Sequence, residues 1–537
     1  MNQRLLARIE IFIIIILASI PLFVTFPYRV NIFLSWEGAF RISEGQLPFR
    51  DFGTPLGGAY WVIPAIFFKI FGSKLITLVK AQVLINMIAG LSFRSILSSL
   101  SVKSGIRLIS VLLFCISYSF FNFWPWYNHS VIVFEITAIA FLLKYIFSNS
   151  HYRWLLLLLS AFFVCFSFMT KQDGGSMAFF ISAILLTYHC FTEKKILPIV
   201  LFTVFFLIFT FLYVFPFLKY GFGYWFNHGQ PPHNARLSLF DITDEFFGSS
   251  IWIKFYFFII TLLPFVVYKK MKELYASKSN MLFFILTILI LGEAAIFQVT
   301  SYTPPDNNIF FHSFAIAFIA NILSFVWPIH INNPRIILLA AIGIMFWWSG
   351  VYWKYMQRIA VRLLDDTEET VSATGENIVN KKTYLINTDT ADIPMNKWVE
   401  SGLESFDHIY MPRQTADGIH RLLDLDLIKQ RRNLKILNMS ELTPLAAEIP
   451  YSLERNSELP LWFHLGVGMF NHEAGIYEKR IQDHYYDLVL FEYIPNLNNF
   501  YPFRIRDSLK TEYHLIDSFM APRRGDTKGT IEVYIKP

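Results

Sequence analysis

The 537-residue chain has only three cysteines, Cys115, Cys165 and Cys190, and each falls inside an apolar run. A disulfide framework and a CxxC metal site are thereby excluded. Charge is scarce too: Asp, Glu, Lys and Arg make up 16%, where a soluble protein carries about a quarter. Hydrophobic residues reach 54% and mean hydropathy is +0.44. This excludes a soluble globular enzyme and leaves no basis for a nucleic-acid partner; the chain reads as a polytopic membrane protein. Internal repeats and low-complexity stretches are lacking. So is a small-x-small cleavage site after the first apolar run, which makes residues 9–28 an uncleaved first helix rather than a signal peptide.

What the chain does have is length of apolar sequence, rich in its 57 Phe and 26 Tyr. A bilayer core needs about 20 apolar residues per helix. Spans are expected near 9–28, 75–97, 107–122, 128–147, 154–170, 175–192, 196–216, 251–268, 280–299, 309–328 and 336–353. The apolar segment 57–72 is short and carries Pro64 and Lys69. It suits a juxtamembrane helix, and a twelfth or thirteenth span would come from such segments. With the N-terminus in the cytoplasm, the inner face collects Arg4, Arg8, Arg94, Lys103, Arg107, Lys144, Arg153, Lys194, Lys195, Lys269, Lys270, Lys272, Lys278 and Arg335. The outer loops after the first contribute Lys171, Lys219 and Arg236, so the positive-inside rule sets the orientation.

The composition changes after residue 353. Residues 354–537 hold 27 of the chain's 40 acids. Short alternating runs (Thr383–Asn387, Leu434–Asn438, Asp487–Glu492, Tyr513–Ser518 and Thr530–Ile535) interleave with helical patterns such as Ala416–Gln430. Eleven spans put this segment outside. The expected layout is a transmembrane domain, 1–353, with a first outer loop at 29–74 carrying juxtamembrane helices, and a periplasmic α/β domain, 354–537.

The other 13 acids are unevenly placed. Glu10, Glu193 and Glu273 map to the cytoplasmic side. Glu37, Glu44, Asp51, Glu135, Asp173, Asp241, Asp244, Glu245, Glu293 and Asp306 map to outer loops or outer span ends. Lys80, Lys171, Lys254, His129 and His312 lie at the same level. Ionisable groups within spans are costly and mark a polar cavity or substrate path. At 1.5 Å per residue, Glu135 and Glu293 sit roughly 10 Å below the surface. The charges stop there, which favours an outward-open cavity over a transporter's full-depth pathway.

No ATP or nucleotide sugar reaches such a cavity; the energised donor available there is a group on a membrane lipid phosphate. Sugar transfer from it needs a carboxylate to take the acceptor's proton and cations to stabilise the departing phosphate. Glu37 and Asp51 are candidates for the first role. Arg50, Lys80, Lys171, His129 and His312 are candidates for the second, arginine being suited to bidentate phosphate contact. Asp173, Glu135 and Glu293 are candidates for substrate binding.

Plain readings stand beside these. Glu37 can pair with Arg41 four residues on, and Arg50 and Asp51 can be a local pair fixing the turn after Pro48. Asp173 fits as a first-turn helix acid. His129 and His312 fit an aromatic belt, and Glu135 and Glu293 can satisfy buried polar neighbours. Asp241, Asp244 and Glu245 fit a solvated loop with helix-capping acids. The C-terminal histidines lack metal-ligand spacing, and no metal or other cofactor is expected.

The order of features carries a resemblance. A first span leads to an acidic loop with Trp36-Glu37-Gly38, then Gly45-Gln-Leu-Pro48-Phe49-Arg50-Asp51-Phe52. A helix ending in Phe71-Gly72 follows, and later Thr170-Lys171 opens a span. This resembles the GT-C superfamily of polyprenyl-phosphate-sugar-dependent glycosyltransferases, which includes protein O-mannosyltransferases and lipid A aminoarabinose transferases. The likeness covers about residues 1–353 and is best in the first loop. It implies an inverting transfer to an extracytoplasmic glycan, lipid or protein acceptor by an enzyme of the bacterial inner membrane. It also implies a first-loop acid as base and a lysine on the donor phosphate; by position these are Glu37 and Lys171. Many relatives carry Asp-Glu-Gly where this chain has Trp36-Glu37-Gly38, so the base is either Glu37 or Asp51. The alternatives are a lipid-linked glycan transporter and a ligase or polymerase using diphosphate-linked glycans.

Overall fold

In the computed structural model the first helix begins earlier than hydropathy suggests. Asn2 caps it, the side-chain oxygen accepting the Arg4 backbone N–H at 3.0 Å, and α1 runs Gln3–Ser19. Pro21 lies in the 3-10 turn Ile20–Phe23 that follows; it has no N–H to continue the helical ladder. The expected span 9–28 is therefore displaced toward the N-terminus. Two of its last residues form a strand instead, Phe26–Pro27 (β1).

The structure describes the chain apart from residues 1, 24–25, 28–31, 122, 150, 221–238, 249–250, 267–275, 302–308, 328–330, 351, 354–377, 380–385, 388–397, 431–432, 450, 452, 462, 464–469, 496–500 and 523–528. Arg236, Lys269, Lys270, Lys272, Glu273 and Asp306 lie outside the described residues. Further helices are α2 (Ile32–Ser43), α3 (Val62–Phe71), α4 (Leu75–Ser99), α5 (Ser104–Phe121), α6 (Tyr127–Phe147), α7 (Arg153–Phe168), α8 (Gln172–Glu193) and α9 (Leu197–Val214). They continue with α10 (Leu239–Gly248), α11 (Ile251–Val266), α12 (Lys278–Ser301), α13 (Ile309–Val326) and α14 (Pro334–Trp347). Each expected span thus has an apolar helix. Among the described residues six segments, Gln3–Phe23, Leu75–Ser99, Tyr127–Phe147, Gln172–Glu193, Leu197–Tyr220 and Lys278–Thr300, are long and apolar enough to cross a bilayer unaided, or seven if α10 and α11 count as one broken span. The others are shorter. Of Asp241 and Asp244, expected in a solvated loop with helix-capping acids, Asp241 stands in the first turn of α10 and Asp244 further along it.

Two compact units divide the chain: Met1–Phe23, Gln82–Pro216 and Arg236–Leu363 form one, and Val24–Ala81, Phe217–Ala235 and Leu364–Pro537 the other. The first is the helical unit. On α9, Val200, Val204, Leu207, Ile208, Phe211 and Leu212 are all exposed. In water such a face would be an aggregation site; in lipid it is the required surface. At one end of this unit Glu10 is fully buried and holds Arg94 at 2.6 Å and Arg107 at 2.9 Å. These three residues were all expected on the cytoplasmic side. Removing the shared carboxylate leaves two guanidinium groups short of a counter-charge. Glu10→Gln is expected to cost on the order of 3–5 kcal/mol, read as a lower melting temperature of the detergent-solubilised protein. An unchanged melting temperature would show the triad to be dispensable.

In the second unit, the first loop is woven into the α/β fold. Parallel pairing joins β1 to Ile409–Pro412 (β6), with Phe26 opposite Ile409, and β6 pairs antiparallel with Trp398–Glu400 (β5). Phe52–Gly53 (β2) pairs with Asn456–Pro460 (β8); the Asn456 N–H donates to the Asp51 carbonyl at 2.7 Å and the Leu461 N–H to the Gly53 carbonyl at 2.9 Å. The short pair Ile378–Val379 (β3) and Ile386–Asn387 (β4) is antiparallel. The main sheet has the order β10-β11-β9-β7, formed by Ile436–Met439 (β7), Leu488–Tyr493 (β9), His514–Met520 (β10) and Thr530–Ile535 (β11). Its β9 residues Leu488 to Phe491 are buried without alternation, as a strand covered on both faces requires. Helices Phe470–Gln482 and Phe503–Glu512 pack on it through Ile481, Ile505 and Leu509. The expected helix Ala416–Gln430 is two helices, Arg413–Leu423 and Asp426–Gln430. Ten-residue α3 is too short to span a bilayer and lies in this unit, as a juxtamembrane helix would. The sequence reading grouped the first loop with the membrane half, whereas its backbone pairs with the α/β region.

Candidate functional site

Glu37 lies on α2, one turn before Arg41, and the helical spacing brings them together. Arg41 Nε and Nη2 both contact Glu37 Oε1, at 2.9 and 2.8 Å. Arg41 Nη1 also donates to Gln46 Oε1 at 2.9 Å and to the Glu454 carbonyl at 3.0 Å. Gln46 in turn donates to the Leu453 carbonyl at 3.0 Å. One guanidinium therefore holds the candidate base and ties α2 to the α/β fold. Burial pushes the Glu37 carboxyl up from the ordinary range, and the charge and hydrogen bond of Arg41 work against that rise.

Asp51 is held differently. Its Oδ2 accepts the Leu47 N–H at 2.8 Å and Arg50 Nε and Nη2 at 3.0 and 2.6 Å. Burial alone would raise this carboxyl. The hydrogen bonds from Arg50 and Leu47, with the charges of Arg50 and Arg455, outweigh it and hold Asp51 below the usual carboxylate range. The loop around it is strained: Phe49 takes φ +66°, which a bulky residue rarely adopts, and its N–H donates to the Phe52 carbonyl. Arg50 is committed to Asp51 and the Gly45 carbonyl.

Both carboxylates line one small cavity of about 80 Å³, with Asn438, Ser440, Thr443, Tyr451 and Tyr477. It has room for about five waters. The Tyr451 and Tyr477 hydroxyls are pushed well up by burial, with Glu37 adding to it. Glu454 lines the same cavity and pairs with Arg480 and the Tyr486 hydroxyl. Tyr451, Asn438 and Glu454 were not singled out from the sequence, since nothing local marks residues 400 positions from α2 as its neighbours.

The helical unit gathers another set. Lys171 is the N-cap of α8 in extended conformation, and its Nζ donates to Asp173 Oδ2 at 2.8 Å. Asp173 Oδ1 accepts the Gly174 N–H at 2.8 Å, so the acid both caps the first turn and neutralises the lysine that opposes the helix dipole. The ammonium also lies 5.0 Å from the Phe297 ring and 6.0 Å from Tyr127. Glycine makes this junction: a Cβ on Gly175 would fall 2.1 Å from Phe168 Cα, and one on Gly174 2.8 Å from Val131. Glu135 on α6 and Glu293 on α12 are fully buried, face each other, and Asp173 acts on Glu293. The structure thus brings Lys171, Asp173, Glu135 and Glu293 together.

The other candidates have settings of their own. His129 sits in the first turn of α6, its N–H donating to the Trp126 carbonyl. His312 on α13 is enclosed by aromatics: Nδ1 is 2.9 Å from the Tyr256 hydroxyl, Trp252 lies 4.3 Å away ring to ring, and Trp347 and Trp348 complete the enclosure. Lys80 on α4 is exposed, belongs to the second unit, and lies over Phe71 at 5.2 Å. Among the described residues no group of three or more His, Cys, Asp and Glu is placed to hold a metal.

No protein-family model matches the chain, and no curated protein is recognisably similar in sequence. Solved structures are similar in fold. ArnT from Cupriavidus metallidurans bound to undecaprenyl phosphate superposes with a TM-score of 0.50 at 10% identity, over 98% of this chain and 97% of that one. The chain has the fold of ArnT. The apo form of ArnT covers the same shares at 10% identity, with a TM-score of 0.48. The likeness in fold runs through the α/β region, beyond the first 353 residues over which the sequence resemblance was read, and the polytopic helical architecture with a strand-containing C-terminal part is that of this fold.

Proposed function

We propose that the chain is an integral membrane glycosyltransferase that moves one sugar from a polyprenyl-phosphate-linked donor to an extracytoplasmic acceptor, with inversion. The observation that carries this reading is the end-to-end GT-C fold, shared with a protein crystallised with undecaprenyl phosphate. In the step itself, an acceptor hydroxyl oxygen bonds to the anomeric carbon as the carbon–oxygen bond to the lipid phosphate breaks. The phosphate leaves with the bonding pair, and the hydroxyl proton passes to a carboxylate. Glu37 is assigned that proton. Its carboxyl is biased toward proton uptake, whereas Asp51 is stapled to Arg50 and Leu47. Lys171 is assigned the donor phosphate, and Asp173, Glu135 and Glu293 the polar groups of the donor sugar; Arg50 and His312 already serve Asp51 and Tyr256. No metal takes part. The N-terminus is cytoplasmic and the α/β region periplasmic, in the inner membrane of a bacterium.

The test uses full-length protein in nanodiscs with a radiolabelled polyprenyl-phosphate sugar and an envelope-lipid and glycan extract. Label should move to an acceptor, one polyprenyl phosphate should appear per transfer, and the new linkage should have the opposite anomeric configuration. Consumption of diphosphate-linked glycans alone would make the chain a ligase or polymerase. Movement of intact lipid-linked glycan across the bilayer would make it a transporter.

A further inference from the structure

A second cavity of the α/β unit lies beside the one at Glu37, and the two share Tyr451 and Leu453 as lining residues. It holds about 820 Å³, ten times the volume of its neighbour, and is open. Small-molecule sites run from about 300 to 1,000 Å³, so this cavity has room for two or three sugar rings where the cavity at Glu37 has room for a few waters. Phe40 and Tyr451 line it with aromatic surface, and backbone and hydroxyl groups come from Ser73 and Ser405.

Ser405 is the telling residue. It is 2% exposed, lines the cavity, and its hydroxyl has no hydrogen-bond partner among the described residues. Its backbone N–H is satisfied, donating to Glu448 Oε1 at 2.7 Å. A buried hydroxyl is costly unless bonded, and a ligand hydroxyl or amide in the cavity would meet that need. Charge selects the ligand class further. Lys74 pairs with Glu404 at 2.6 Å, which leaves Glu44, Glu448 and Arg455 on the wall, and Arg455 already acts on Asp51. The remaining wall is acidic and disfavours a phosphorylated ligand.

We propose that this open cavity is a saccharide-binding site for an uncharged or amine-bearing oligosaccharide, serving as the acceptor's seat next to Glu37. Only the role as acceptor seat rests on the glycosyltransferase reading; the binding itself does not. It is measured without any donor, by saturation-transfer NMR and calorimetry on full-length protein in nanodiscs. The probes are chitotriose, the glucosamine trimer and glucose 6-phosphate. Chitotriose or the glucosamine trimer should bind at least tenfold tighter than the sugar phosphate. Ser405→Ala should weaken that binding several-fold while leaving the melting temperature unchanged or higher, because the hydroxyl has no partner among the described residues to lose. Ala447→Trp, at an exposed wall position, should block binding while the melting temperature holds. The proposal is overturned if no trisaccharide binds, if glucose 6-phosphate binds best, or if both variants bind like the parent. Failure of donor-lipid transfer would overturn the enzymatic reading and leave this binding result standing.

Discussion

Glu37→Gln should abolish sugar transfer, lowering turnover by about 10²–10⁴-fold, the usual worth of a positioned general base. Glutamine preserves the shape of the side chain and an oxygen for Arg41, but the half-buried pair loses its charge, so a stability loss of about 3–5 kcal/mol accompanies the loss of turnover. Asp51→Asn should differ in turnover. The asparagine oxygen can still accept from Leu47, but the charge that holds Arg50 across 2.6 Å is gone. A hydrogen bond to a charged group is worth about 1.5–3 kcal/mol, so a loss of that order in stability is expected, with turnover per folded molecule changed only a few-fold. Initial rates with the labelled donor, divided by the folded fraction from size exclusion, separate the two. A folded but inactive Asp51→Asn beside an active Glu37→Gln would exchange the assignments.

That contrast between the two acids lay beyond the sequence for a physical reason. Apolar runs, the short apolar helix at 62–71 and the strands at 436–439, 488–493 and 530–535 were legible because burial writes a period or a run into local sequence. The gathering of Lys171, Asp173, Glu135 and Glu293 was legible in outline, since charges at one membrane depth have few places to go. Pairing of Phe26 with Ile409 and of Phe52 with Asn456 was not. Two-residue strands carry no periodicity, and their partners lie hundreds of residues away. The same long separation hid Glu454 and Leu453, whose carbonyls decide what Arg41 and Gln46 do. In the first helix, a cap at Asn2 and the break near Pro21 outweighed the hydropathy of residues 20–28.

Arg41 should therefore be nearly as sensitive as Glu37, and its signature should be a displaced pH profile. Arg41→Met removes the cation that opposes the burial-driven rise of Glu37. The carboxyl then ionises only at higher pH, so the acid limb of the rate profile should move upward, and activity lost at neutral pH should return partly under alkaline conditions. Arg41→Lys keeps the charge but not the forked contact to Glu37, Gln46 and the Glu454 carbonyl, so its limb should fall between the two. Stability follows the same linkage. A carboxyl with a raised folded-state value favours the folded state below its unfolded value of about 4.3, and that contribution is lost as pH rises through the folded value. Breaking this pair, both of whose side chains are 12% exposed, is expected to cost about 3–5 kcal/mol where Glu37 is charged. The cost should shrink as acid protonates Glu37. Melting curves of the parent and Arg41→Met from pH 4 to 8 should converge at the acid end. Parallel curves, or an acid limb that does not move in either variant, would show that Arg41 acts on the fold alone and that Glu37 is not the group whose ionisation limits transfer.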